Sequence, residues 1–299
     1  ASRGLVDVYK RQTVAMACKL LRRRAGCTLP TPDASSRILN KIETPAAWRV
    51  AMRHLADTAA SSANSPSLAA GRGHWLATLD LGFERDGDST RLMRREHTGP
   101  LRVQKPLYPE HPSTCHAIII HPPGGVVGGD ELRMQFDMSS GARALLSTPG
   151  AAKWYRANGH RSRQQVRIRV SASAALEWLP QETIIFNEAD VVFDNLIDLE
   201  ADATYIGCEI LCFGRTASGE TFERGNVQQS LMIRREGKPL WLERGALAAG
   251  SRQMRSPLGL GGYTVCANLI AISNTSSATL LSAVREHCAA MGDGQGQFG

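Results

Sequence analysis

The densest run of residues able to do chemistry is His111-Pro-Ser-Thr-Cys115-His116, followed after Ala117–Ile120 by His121-Pro-Pro-Gly-Gly-Val-Val-Gly-Gly-Asp130. Three histidines and a cysteine so close together suit Ni, Zn or Cu, because imidazole and thiolate are good ligands for these ions. The spacing argues against one shared ion. If Cys115 to His121 is a strand, His116 and His121 point to opposite faces. Cys115 and His121 would share a face about 20 Å apart, at roughly 3.3 Å per residue. The other reading is a buried, Ile-rich strand flanked by polar residues.

Gly124, Gly125, Gly128 and Gly129 could form a nest of backbone N–H groups around a phosphate. No GxxxxGK[ST] or GxGxxG frame surrounds them, and Glu131 to Met138 alternates like a strand instead of opening a helix. A wide connection that needs glycine for its backbone and ends at Asp130 fits the same residues. In Tyr205-Ile-Gly-Cys-Glu-Ile-Leu-Cys-Phe213, a strand puts Cys208 and Cys212 on one face about 13 Å apart, in an apolar row with Ile206 and Ile210. Free cysteine there behaves as a small hydrophobe. The opposite face holds Glu209 among Tyr205, Leu211 and Phe213, and Glu243 in Leu240-Trp-Leu-Glu243 keeps similar company. Unpaired burial of an acid is costly, so these two either pair with arginines, sit exposed at strand ends, or line a water-filled path. Thr148-Pro-Gly-Ala-Ala-Lys153-Trp-Tyr155-Arg156 joins a turn to two cations and two aromatics, a set that either binds an anion or partner chain or is simply solvated. No GxSxG, HExxH or comparable frame is present, which leaves an enzyme reading without an anchor.

The elements that must position these residues are strands. Trp75, Ala77, Leu79, Leu81 and Phe83 alternate with polar residues, as do Leu132 to Met138 and Val166 to Val170. Further strand runs are expected at Ile118–Ile120, Thr183–Phe186, Tyr205–Phe213, Gln229–Arg234, Pro239–Glu243 and Tyr263–Ser273. Only Ala278–Met291 has a helical pattern in this part, and no fixed-period repeat is visible. The stretch before it differs. Thr13–Arg24 and Ala46–Ala59 have helical composition, Ser61–Ser67 has linker composition, and Ser2–Gln12 has no periodicity and resembles translated vector sequence. The expectation is a mainly β chain, a β-helical or stacked-sheet single domain with few helices, preceded by a partly helical or disordered N-terminal extension. The boundaries are 1–71 for extension and linker, 72–291 for the β-rich domain, and 292–299 for a Gly-rich end expected to stop short of further strands.

The chain has 299 residues, 42% hydrophobic and 21% charged, which excludes intrinsic disorder and leaves a full core available. Its net charge of +7 is uneven. Before Arg72 there are 11 Lys and Arg against 4 Asp and Glu, leaving 24 against 24 after Gly71. A neutral body, in a chain with 6% aromatics, argues against a nucleic-acid reader, whose basic patch belongs on the folded domain. Seven scattered cysteines without a CxxC pair do not make a disulfide framework. No stretch approaches the roughly 18 apolar residues of a membrane span, and no signal segment is evident, so a cytoplasmic protein is expected.

Six blocks, taken in order, resemble the urease accessory protein UreD (UreH) family. They are Gly99–Glu110; Cys115-His116 with His121–Asp130; Thr148–Arg156; Leu176–Phe186; Cys212–Arg215 with Gly219-Glu220; and Pro239–Arg244. The resemblance runs from about Trp75 to Met291. It implies a non-enzymatic scaffold that joins UreF and the GTPase UreG on apo-urease and assists nickel insertion, with the nickel carrier UreE an indirect partner. It also implies nickel(II) in transit with no tightly bound cofactor. The matching acids for an interior nickel path are Asp130, Glu209 and Glu243, and Lys153, Tyr155 and Arg156 are candidates for partner contact. The alternatives are a phosphate- or nucleotide-binding enzyme using Gly124–Gly129, or a generic β-rich interaction module without metal dependence.

Overall fold

Alternation of apolar and polar residues over short runs makes strands that bury one face, and two such faces laid together form a core. The computed structural model describes residues 74–273, together with Ser282 and Glu286, and in it that alternation becomes fifteen strands. They are β1 (Leu76–Asp86), β2 (Ser89–Thr98), β3 (Arg102–Val103), β4 (Cys115–Ile120), β5 (Glu131–Met138), β6 (Arg143–Ser147), β7 (Ala152–Trp154) and β8 (Ser162–Val170). There follow β9 (Ala175–Leu179), β10 (Thr183–Ile185), β11 (Asp190–Leu199), β12 (Thr204–Phe213), β13 (Asn226–Arg235), β14 (Lys238–Ala248) and β15 (Val265–Ile272). A single helical turn, α1 (Arg252–Arg255), lies between β14 and β15. The helices expected at Thr13–Arg24 and Ala46–Ala59, and all of that at Ala278–Met291 except helical Ser282 and Glu286, lie outside the described residues.

The strands form two sheets. One has the order β14-β13-β11-β8-β5-β1-β2; the other contains β3, β4, β6, β9, β12, β10 and β7, with β15 added to β12. From β5 to β13 the chain passes from one sheet to the other and back, and equivalent strands pair in parallel: β5 with β8, β8 with β11, β11 with β13. The facing sheet repeats this with β6, β9 and β12. This is a solenoid-like stack, in agreement with the expected mainly β, β-helical or stacked-sheet class. Antiparallel hairpins end the seven-stranded sheet on both sides, β1 with β2 and β13 with β14.

Inward residues of both sheets meet in one apolar cluster. Phe136, Ile168, Phe193 and Ile197 face Leu146, Trp154 and Leu176, all essentially inaccessible to water. Trp154 meets Phe193 edge-on at 5.1 Å, and Phe136 meets Trp178 at 5.3 Å, so aromatic contacts tie the sheets together. On the outer face of the seven-stranded sheet, arginines and acids of neighbouring strands pair: Arg167 with Asp194 at 2.8 Å, Arg234 with Asp198 at 2.5 Å, and Arg94 with both Asp80 and Asp137. Such exposed pairs contribute little individually; their effect is to keep one face polar while the other is buried.

Candidate functional site

The second sheet is interrupted, and the interruptions lie in conspicuous sequence. β6 and β7 are separated by Thr148-Pro-Gly-Ala151, and β9 and β10 by Pro180-Gln-Glu182. Proline has no N–H to give to a ladder, and local bonds take over. Ser147 Oγ donates to the Leu179 carbonyl at 2.7 Å, and the Gln181 N–H donates to Thr148 Oγ1 at 3.0 Å. β12 crosses the break without stopping: Thr204–Gly207 pair with β9 and Leu211–Phe213 with β10, which leaves Cys208–Ile210 facing the gap. Behind the gaps lies a cavity of about 260 Å³. Its walls include the Thr148–Lys153 and Pro180-Gln181 segments, Tyr205 to Ile210, and inward residues of β5, β8, β11 and β13.

A row of polar side chains crosses this otherwise apolar interior. The inward faces of β8, β11 and β13 contribute Gln164, Asn195 and Gln229. Gln164 and Gln229 flank Phe193 in the pairing register; Asn195, one row on, lies between Val166 and Leu231. Gln164, Asn195, Glu209 and Asn268 all line the cavity. Asn195 Oδ1 is buried and has no hydrogen-bond partner, which is costly unless something in the cavity supplies one.

At one end this row meets the two acids. Glu209 on β12 pairs in register with Asn268 on β15, and Glu243 on β14 pairs with Leu231 on β13. Two amides cross between the sheets. Gln229 Nε2 donates to Glu209 Oε2, and Asn268 Nδ2 donates to Glu243 Oε1 at 3.4 Å. Each carboxyl group thus takes its bond from an amide of the opposite sheet and not from an arginine. Burial, and then the Glu243 charge beside it, pushes the Glu209 carboxyl up to about 7. The same two effects, burial first and the charges of Glu243 and Glu209 after it, raise the Cys266 thiol. The Tyr205 hydroxyl is raised by burial and by Glu209. The Tyr205 phenol folds back over Gly207, where any β-carbon would collide with it.

Asp130 stands apart from this pair. It is almost fully buried, and both oxygens bind backbone amides: Oδ1 accepts from Trp75 N–H at 3.0 Å and Oδ2 from Val127 N–H at 3.2 Å. Its charge also acts on His121, whose imidazole burial holds below its usual range while Asp130 opposes that shift. His121 lines the cavity beside Gly124–Val126. Asp130→Asn, which turns one acceptor oxygen into a donor, is expected to cost about 1–2 kcal/mol, measurable by urea denaturation; an unchanged midpoint would count against the role of Asp130 as an anchor of the loop.

The remaining candidates are distributed as follows. Cys115 is buried and its thiol raised by desolvation, while His116 on the other face of β4 approaches Glu110 at 3.6 Å. Among the described residues no three His, Cys, Asp or Glu side chains are grouped to hold a metal ion. In the glycine connection, the carbonyl oxygens of Ala157 and His160 close on Gly128, an arrangement that repels a phosphate. Tyr155 packs edge-on against Phe186 at 4.7 Å, and Arg215 lies 4.5 Å above that ring; Lys153 and Arg156 are exposed. Among the described residues no helix is long and apolar enough to cross a membrane.

Comparison with known proteins gives one consistent result. The family model described as UreD urease accessory protein matches residues 76–299. A protein named urease accessory protein UreD from Janthinobacterium sp. (strain Marseille) is 57% identical over 245 residues, 81% of this chain and 82% of the relative. Proteins of the same name from Azoarcus sp. (strain BH72) and Nitrosospira multiformis are 48% and 46% identical, over 74% and 75% of this chain and 77% and 80% of their own lengths.

Proposed function

We propose a role that starts from one fact: the chain belongs to the UreD family of urease accessory proteins. In this role it is a urease maturation factor without catalytic activity of its own. It binds apo-urease in the cytoplasm with UreF and the GTPase UreG, and UreE delivers nickel to the assembly. The metal is cargo in transit through the inter-sheet cavity and is not a resident cofactor. The observation that carries this reading is the polar row inside an apolar core, Gln164, Asn195 and Gln229 leading to the facing acids Glu209 and Glu243.

The physical argument concerns what such a row is good for. Carboxylates and amide oxygens satisfy a hydrated divalent cation without the tight grip of a Cys and His cage, which would trap it. A core that needed only stability would place apolar residues at these inward positions, because each buried polar group must be hydrogen-bonded to avoid a penalty. His121, beside the glycine connection that Asp130 anchors, lines another part of the wall. Lys153, Tyr155 and Arg156, outside the gaps, are proposed to contact a partner chain.

The test is co-expression with the urease structural subunits, UreF and UreG, scoring nickel content and urea hydrolysis. Omitting this chain should leave urease nickel-poor. Glu209→Gln and Glu243→Gln should each lower the nickel delivered several-fold while the complex still assembles. Full activation by both variants would remove the path from consideration, and full activation without the chain would remove the maturation role.

A further inference from the structure

We propose that one end of the stack is a docking surface for a protein partner that offers apolar sockets bordered by carboxylates, with Leu258 as its main anchor. This rests on the maturation role above and adds the place where a partner is held.

The two ends of the stack are built differently. At one end the turns are short: Gly87-Asp88, Ser139–Ala142, Ser171–Ala174, Glu200–Ala203 and Glu236-Gly237. Their charged residues are all acids, and none of the large exposed apolar side chains lies in them. Three of those acids are already engaged, because Glu200, Asp202 and Glu236 accept the backbone N–H groups of Ala172, Ser173 and Ala201 in the next turn of the stack. At the other end the chain crosses between the sheets in longer loops, and there Val127, Leu258 and Tyr263 are exposed, with Trp75 just before β1. Arg156, Arg252 and Arg255 stand among them, exposed and with no acidic partner among the described residues. The loop from Ala249 to Thr264 holds two arginines and no acid. A partner suited to this end is therefore apolar with a negative border.

The loops of this end are fastened to one another. The Ala157 N–H donates to the Glu188 carbonyl at 2.8 Å, the Glu188 N–H to the Arg224 carbonyl at 2.7 Å, and the Ala249 N–H to the Gly225 carbonyl at 3.0 Å. A surface ordered in advance loses little entropy when a partner arrives.

The loop that carries Leu258 is fixed as well. Met254 and Leu260 pack against the core, while the Leu260 N–H donates to the Gln253 carbonyl at 3.0 Å and the Gly262 N–H to the Met254 carbonyl at 2.8 Å. A β-carbon at Gly259 would stand 2.1 Å from the Gln253 carbonyl oxygen, so the tip is closed by backbone contact. Between these anchors the Leu258 N–H donates to Ser256 Oγ at 3.2 Å and the side chain is fully exposed. A lone exposed leucine on a loose tip would mean little; this one is held outward by a loop that turns its other two long apolar side chains inward. Asp130 fixes a second anchor, since its two oxygens hold the amides of Trp75 and Val127. The sheet order puts β5 and β14 four strand spacings apart, so at about 4.8 Å per spacing the two anchors lie roughly 19 Å apart. One partner with a contact area of about 800 Å² covers both.

The experiment is affinity recovery of the tagged full chain co-expressed with the urease structural subunits, UreF and UreG, at about 0.1 M and about 0.5 M salt. Leu258→Asp should lower the recovery of one of these proteins at least about tenfold with an unchanged Tm, because the side chain touches nothing in the chain itself. The double variant Arg252→Glu with Arg255→Glu should lower it several-fold, more at low salt than at high, and carries the test if the first variant melts early. Asp88→Ser, at the opposite end, should behave like the parent. Recovery equal to the parent's in both loop variants would overturn the docking surface and leave the maturation role standing; no recovery by the parent would overturn both. If light scattering shows that the loop variants lose only self-association, the face belongs to a second copy of this chain and the proposal fails.

Discussion

Gly128→Ala is expected to destabilise the protein by about 3 kcal/mol or more, well beyond the same change at Gly124. A β-carbon at Gly128 would overlap the carbonyl of Ala157 and stand 2.7 Å from the carbonyl oxygen of His160. Both obstacles are backbone. The loop after β7 is itself fixed, because the Ala157 N–H donates to the Glu188 carbonyl at 2.8 Å and the His160 N–H to the Ala157 carbonyl at 2.9 Å. Neither side can yield without breaking hydrogen bonds. Gly124 is the internal comparison: its φ of +81° disfavours a side chain, but nothing lies within 4 Å of the new methyl, so alanine there should cost only about 1 kcal/mol. Thermal and urea denaturation of the two variants would rank them, and equal losses would refute close packing as the reason for Gly128.

Glu209→Gln should stabilise the protein at pH 8 and do much less at pH 5. The Glu209 carboxyl is raised from its ordinary value of 4.5 to about 7. Between those values the folded state keeps a proton that the unfolded chain has released. Stability from this group is therefore fully present below about pH 4.5, falls as pH rises through about 7, and is flat above that. Glutamine removes that slope. It can still bond Gln229, amide to amide, and leaves no arginine stranded. A gain of about 1–2 kcal/mol at pH 8 is expected, after allowing for screening by water in the cavity. A variant that melts earlier than the parent at pH 8 would show that the charged form of Glu209 is structurally required. The combination of higher stability and poorer nickel delivery would mean that function, and not folding, keeps the acid in place.

Alternation makes much of the fold legible in the sequence. β1, β5 and β12 coincide with expected runs, and the inward orientation of Glu209 with Tyr205, Leu211 and Phe213 follows from counting by two along β12. β11 was hidden because Asp190, Asp194, Asn195 and Asp198 have the composition of a turn; their outward acids meet Arg167 and Arg234 on adjacent strands, which a single strand's sequence does not announce. β2 was hidden by its charges in the same way. The facing of Glu209 and Glu243 depends on two chain segments more than thirty residues apart reaching opposite sheets, and no local pattern carries that. Gln164, Asn195 and Gln229 left a fainter trace, a polar residue directly beside apolar inward neighbours, as Asn195 is between Phe193 and Ile197. Asp130 was legible as an unusual acid, yet its pairing with two backbone amides depends on Trp75, fifty-five positions earlier.

The hairpin of β1 and β2 has a consequence for association between copies. A stack of parallel coils exposes at its end an edge identical in kind to the ones inside, and such an edge invites another copy to add and growth to continue into a fibre. β2 reverses the chain direction on that edge and covers it with Arg91, Arg95, Glu96 and His97, all exposed. An incoming coil would meet an antiparallel strand with charges along its length, so the hairpin works as a stopper against polymerisation on that side of the sheet.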